Sequence, residues 1–284
     1  MINKLSLVLV ICLFVTSCKK SDVTGSATIT AKTMLNVAYG SDPLQVMDVY
    51  LPANRSTATT KVIIMIHGGA WNAGDKADMT PYVDSFNNRL PDYAVININY
   101  RLALTVATLF PTQELDVKAA FQYVVDHSGD YLISQKVVLV GASAGAHLAL
   151  LQGNKYTIPL RPKAIVSLFG PTDMTDMYNN PTNALVPPAL VQVIGKTPTQ
   201  DPLIYSNSSP VNFVTAASPP TILLHGGMDP LVRWQQSLTM KNLLQNAGVT
   251  NQYVFYPTEG HGWVGANLYD SFNKIQAFLQ AYVN

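Results

Sequence analysis

Ser143 lies in Gly141-Ala142-Ser143-Ala144-Gly145, which joins a strand-like run (Lys136 to Val140) to a helical one (Ala146 to Leu151). On such a strand-to-helix elbow the hydroxyl stands clear of the sheet at the positive end of the helix. Small residues on either side let the two chains pass closely. Serine attacks a carbonyl only when a base takes its proton and a third group orients that base. Behind an elbow of this kind the acid and the histidine follow in that chain order. Three histidines lie downstream. His147 is one helical turn past the serine and reads as packing or helix-surface polarity. His225 ends the apolar run Thr221 to Leu224 and reads as fixing the neighbouring loop. His261, between Gly260 and Gly262 in a loop ahead of the last helix, is the candidate base. The candidate acid is Asp229, in the turn after the strand that ends near Leu224; capping the next helix is the other role open to it. Asp173, after Ala164 to Leu168, is its rival. Glu259 is too near His261 in sequence to orient it easily.

Acyl transfer also needs N–H donors where the oxyanion forms, each lowering the barrier by about 3–4 kcal/mol. The apolar run Val62 to Ile66 leads into His67-Gly68-Gly69-Ala70-Trp71, where adjacent glycines can turn their amides inward. The second donor of this arrangement is the residue after the nucleophile. The candidate oxyanion residues are therefore Gly68, Gly69, Ala70 and Ala144, with His67 bracing the loop rather than holding a metal. Trp71 and Trp263 flank the oxyanion loop and the histidine. They offer a stacking wall for a sugar or aryl ring, or else pack in the core.

The elements that must position these residues are legible as alternating runs. Strands are expected near Met34–Tyr39, Val46–Leu51, Val62–Ile66, Ala94–Asn99, Val137–Val140, Ala164–Leu168, Ile222–Leu224 and Tyr253–Tyr256. Helices are expected near Thr80–Arg89, Gln113–Asp126, Ala144–Gln152, Arg233–Asn246 and Ser271–Tyr282. Early strands followed by strand–helix alternation predict an α/β domain with a mostly parallel sheet and helices on both faces. Near-continuous apolar strands fit burial on both sides. Every candidate catalytic residue falls just after a strand, where open α/β sheets bind ligands. The stretch 171–214, rich in Pro, Asn, Thr and Ser, breaks the alternation and reads as a cap insertion over the active site. Its Met174, Met177, Tyr178, Tyr205 and Phe213 either line a pocket or pack on the domain.

Taken together, these pieces resemble the α/β-hydrolase superfamily, and within it the bacterial esterases related to hormone-sensitive lipase, including lipoprotein-type carbohydrate (acetyl and feruloyl) esterases. The matching stretches are Asp48-Val49-Tyr50-Leu51-Pro52, His67 to Trp71, Asn99-Tyr100-Arg101-Leu102, the elbow around Ser143, His225 to Val232, and Gly260-His261-Gly262-Trp263. The resemblance implies a triad of Ser143, Asp229 and His261, an oxyanion hole from the Gly68–Ala70 loop with Ala144, and hydrolysis of short acyl or aryl esters, including acyl groups on carbohydrate. Ala70 stands where many relatives carry a third glycine, which makes bulky tertiary-alcohol esters poorer candidates. Two other readings keep the fold: an amidase or peptidase, similar to arylformamidases around the His-Gly-Gly-x-Trp loop, and a surface binding protein with a silent site. Neither metal nor cofactor is called for.

The front of the chain has a basic start, an apolar core from Leu5 to Val15 broken only by Ser6, and then Thr16-Ser17-Cys18. This pattern predicts a secretory signal over 1–17, too short to span a bilayer. It resembles the lipoprotein box in which Cys18 is lipidated, so membrane attachment outside the cytoplasm is expected. A polar tether over 18–32 and a catalytic domain over 33–284 would follow. Removing 1–17 takes away Lys4 alone among the charges and leaves 17 basic and 17 acidic residues, a balance that disfavours nucleic acid as a partner. Cys12 would leave with the signal and Cys18 would carry lipid, so no disulfide is expected. With 48% hydrophobic residues, stability must come from one sizeable core.

Overall fold

A computed structural model describes residues 28–283. The signal over 1–17, Cys18 and most of the tether lie outside the described residues. The strands are β1 (Lys32–Ala38), β2 (Val46–Leu51), β3 (Lys61–Ile66), β4 (Tyr93–Ile98), β5 (Val137–Ala142), β6 (Ala164–Leu168), β7 (Thr221–Gly226) and β8 (Asn251–Tyr256). The helices are α1 (Thr80–Arg89), α2 (Thr112–Asp126), α3 (Ser128–Tyr131), α4 (Ala144–Lys155), α5 (Met174–Asn179), α6 (Val186–Ile194), α7 (Pro202–Asn207), α8 (Gln235–Asn246) and α9 (Gly265–Tyr282). The eight strands form one sheet in the order β1-β2-β4-β3-β5-β6-β7-β8. β1 pairs with β2 and β2 with β4 antiparallel, and every pair from β4 to β8 is parallel.

Side chains alternate across the pleat, so each strand feeds both faces. Ile64, Ile96 and Leu139 point to the face covered by α2, α4 and α8, through Phe121, Leu148 and Met240. Ile63, Val95, Val138 and Val166 point to the other face, packed by Phe86 of α1 and Phe272, Ile275 and Phe278 of α9. Both layers exclude water, which is why these strands are apolar at nearly every position. The chain crosses from β3 to β4 on one side and to β5 on the other. A crevice therefore opens beyond the carboxyl ends of β3 and β5, where such sheets bind ligands.

The structure departs from the sequence reading in these places, among others. Lys32, assigned to the tether, already pairs with Leu51 in β1. The last helix begins at Gly265, not Ser271; its first turn is exposed, and Leu268 behind it joins Phe272 and Ile275 on the core face. The insertion, for which no helix was expected, holds the three short helices α5, α6 and α7. Asp173 and Asp201 cap α5 and α7 by accepting from the amides of Asp176 and Ile204, and prolines open α6 and α7.

Candidate active site

β5 delivers its chain straight into α4 through Ser143, whose φ of 53° and ψ of −120° lie in a strained region. A Cβ on Gly145 would fall on the carbonyl group of Ile66, and one on Gly141 on the carbonyl group of Gly145. Both glycines are thus required by close approach. His261, on the loop between β8 and α9, turns Nε2 to within 2.8 Å of Ser143 Oγ. Its Nδ1 lies 2.7 Å from Asp229 Oδ2. Asp173 is engaged instead as a helix cap and Glu259 accepts from Asn267, so neither meets the imidazole.

Asp229 follows β7 and is 8% exposed. Its Oδ1 accepts from the amides of Leu231 (2.8 Å) and Val232 (2.9 Å), which makes it the brace of its own loop rather than the cap of α8. His225 Nε2 lies 3.2 Å from Oδ2 and 2.9 Å from the Val232 carbonyl, while its Nδ1 meets Ser237 Oγ at 2.7 Å. His225 fixes the loop as expected, and it also touches the acid directly, which the sequence reading missed. Burial opposes ionisation of Asp229, but hydrogen bonds from His225, His261 and the Val232 amide outweigh it and hold the carboxyl well below the usual range.

After β3 the chain runs through Gly69 (φ 106°), Ala70 (47°) and Trp71 (60°), three consecutive residues with positive φ. The Gly69 carbonyl turns away to accept from Asn72 and Ala73. Among the described residues the amides of Gly69, Ala70 and Ala144 have no acceptor. Gly68 passes so close to the elbow that a Cβ there would sit 3.2 Å from that of Ser143. His67 stacks on Tyr100 at 4.2 Å, and Tyr100 donates to its carbonyl. Lys76 is bound to Asp48 (2.9 Å) and to Asn99 behind the loop. Asp48, Asn99 and Tyr100 thus serve as scaffolding for the His67–Trp71 loop and the turn after it.

A cavity of about 660 Å³ opens over Ser143 and His261, within the range of ligand sites. The Gly68–Ala73 loop and Met79 form one wall, and Met177, Leu185, Val186, Ala189 and Leu190 of the insertion form the other. Phe169 (φ 44°) lies on the rim of the His261 ring, centroids 4.7 Å apart. Sequence reading overlooked it, although it follows β6 as the other site residues follow their strands. Trp263 does not reach the cavity. It is buried between Phe169 and Tyr256 and donates to Ser271, so it is a packing residue, not a substrate wall. The reason is its direction: the turn at Gly262 (φ 98°) sends the next side chain into the layer under α9. Trp71 does line the cavity, although it is 4% exposed and its indole nitrogen is spent on His147. His147 is buried, which removes the helix-surface reading and keeps the packing one.

The BD-FAE family model matches residues 47–244. Esterase LipC of Mycobacterium tuberculosis is 28% identical over 262 residues, spanning 86% of this chain and 64% of LipC. The probable carboxylic ester hydrolase LipM of the same organism is 30% identical over 212 residues, 70% of this chain and 48% of LipM. The chain thus spans about half to two thirds of these relatives' length. Among solved structures, a truncated carbohydrate esterase from gut microbiota superimposes with a TM-score of 0.76 at 28% identity. It covers 90% of this chain and 97% of that one. An esterase of Thermogutta terrifontis shares the fold, with a TM-score of 0.71 at 18% identity over 88% and 94% of the two chains. The architecture is that of an α/β-hydrolase.

Proposed function

Because the chain belongs to the BD-FAE family, we propose that it is a serine-dependent carboxylic ester hydrolase. The observation that carries this reading is the unbroken chain from Asp229 through His261 to Ser143, at 2.7 and 2.8 Å, at the floor of a cavity with unengaged amides beside it. In this mechanism Ser143 Oγ attacks the ester carbonyl and its proton passes to His261 Nε2. Asp229 stabilises the imidazolium. The oxyanion is met by the amides of Gly69 or Ala70 and of Ala144. His261 then returns the proton to the leaving alcohol, and water, activated by the same imidazole, cleaves the acyl-enzyme. The residues named complete the cycle without a cofactor.

The largely apolar cavity supports short acyl or aryl esters. The likeness to a carbohydrate esterase supports acetyl or feruloyl groups on sugar as the natural ester. The decisive experiment measures p-nitrophenyl acetate hydrolysis by the wild type and Ser143→Ala, with a loss of about 10⁴-fold or more expected. Equal turnover by the two would remove the mechanism. A panel of acetylated xylan, methyl ferulate, N-formylkynurenine and a dipeptide anilide then identifies the bond. Preference for either amide would move the assignment to an amidase or peptidase.

A further inference from the structure

His147 takes no part in the reaction written above, yet it lies fully buried one turn behind the nucleophile and donates its amide to the Ser143 carbonyl. Both ring nitrogens are engaged. Trp71 Nε1–H donates to His147 Nδ1 at 3.1 Å, so Nε2 carries the proton and donates to the Ser208 carbonyl at 2.7 Å. The indole and imidazole meet edge to face, centroids 5.2 Å apart at 89°. Trp71 closes the positive-φ run that begins at Gly69. Left-handed backbone is strained for an L-residue and persists only where surroundings hold it. The Trp71 carbonyl is held by the Ala103 amide, and the indole is the second anchor. Ser208 is buried at the end of α7, where the insertion returns to the domain.

We propose that His147 is a positioning residue for the oxyanion amides. By gripping the Trp71 indole it keeps Gly69 and Ala70 in the backbone that turns their N–H groups toward Ser143, and through Ser208 it ties that geometry to the seating of the cap. The proposal rests on the ester-hydrolase reading. Only a neutral imidazole can accept at Nδ1. Burial lowers the His147 pKa to about 4, against the pull of the Ser208 carbonyl and aided by the Lys155 charge, so the acceptor persists at neutral pH. His147 does not line the cavity, so its effect on turnover must pass through another residue.

The test compares wild type, Trp71→Phe, His147→Leu, His147→Gln and the Trp71→Phe/His147→Leu double variant. Turnover of p-nitrophenyl acetate is expressed per site titrated with a fluorophosphonate, and the Ki of a boronic acid that binds as a tetrahedral adduct is measured alongside. Trp71→Phe keeps the ring and removes the bond. It should lower kcat by about 10- to 100-fold, with KM within about twofold, and raise Ki by the same factor as kcat falls. His147→Leu should match it, and the double variant should be no worse than either alone. His147→Gln, whose amide supplies both an acceptor and a donor, should recover part of the loss. Unchanged kcat and Ki in Trp71→Phe would overturn the proposal, as would additive losses. A lowered Tm with normal turnover per titrated site would overturn it too, leaving His147 a purely structural residue. Should His147→Leu fail to fold, Trp71→Phe and His147→Gln still decide. Failure of the underlying reading is seen separately, as wild type that takes up no fluorophosphonate.

Discussion

Asp229 is held by two imidazoles and two backbone amides, more donors than are needed to aim one histidine. Those donors keep it ionised in a buried position, and the sign of the linkage follows. Its folded pKa lies below the ordinary carboxylate value. Its contribution to stability is therefore present above that ordinary value, and it is lost as pH falls through the folded one. Asp229→Asn keeps the shape but offers only one acceptor oxygen, with an NH₂ group now facing a donor. We expect kcat per folded molecule to fall by about 10⁴-fold. A kcat within tenfold of wild type would mean that His261 takes its orientation from another group. Ser143, His261 and Asp229 were legible because turn chemistry and chain order restrict them to a few positions. Phe169 and the contact of His225 with the acid were not, since they depend on which way a ring faces after the chain has folded. The same lack misdirected Trp263, which the local pattern could not distinguish from Trp71.

The elbow between β5 and α4 is an element-level demand, because its glycines are fixed by the passage of neighbouring backbone. Gly145→Ala would bring a methyl group against the Ile66 carbonyl on β3. A loss of about 3 kcal/mol or outright failure to fold is expected, measured by urea unfolding. Ordinary stability would mean that the elbow can open. In the cap, α6 buries Val186, Leu190, Val193 and Ile194 and turns Ala189 into the cavity. Ala189→Phe should shrink the space for the larger substrates. The kcat/KM ratio of p-nitrophenyl acetate to p-nitrophenyl octanoate should rise about tenfold or more. An unchanged ratio would exclude α6 as a specificity wall. The sheet was readable from sequence because strands buried on both faces leave long apolar runs. The cap helices were not, because six to nine residues carry too few turns for a stripe to emerge, although their Asp caps and opening prolines marked where they begin.

Across the whole molecule, two buried neutral histidines set the response to acid. His147 has its pKa lowered by burial to about 4, and burial lowers His67 as well. Between about 6.5 and 4 the unfolded chain binds a proton that the folded chain refuses, so stability falls as pH drops through that window. For His147 alone the loss from pH 7.5 to 4.5 is about 2–3 kcal/mol. Urea unfolding at the two pH values should register it, and a Gln at position 147 should flatten the slope. A profile equally steep in that variant would assign the acid response elsewhere. One topological detail reaches further. β1 opposes β2, which opposes β4, so β1 runs the same way as the parallel strands and Lys32 lies at their amino ends. α9 starts on the cavity side and runs back past Arg89, so Val283 lies, like Lys32, toward the amino ends of the parallel strands. Both ends of the domain therefore exit at its back. A resin or fused module joined closely to either end of the described domain would sit opposite the mouth of the cavity.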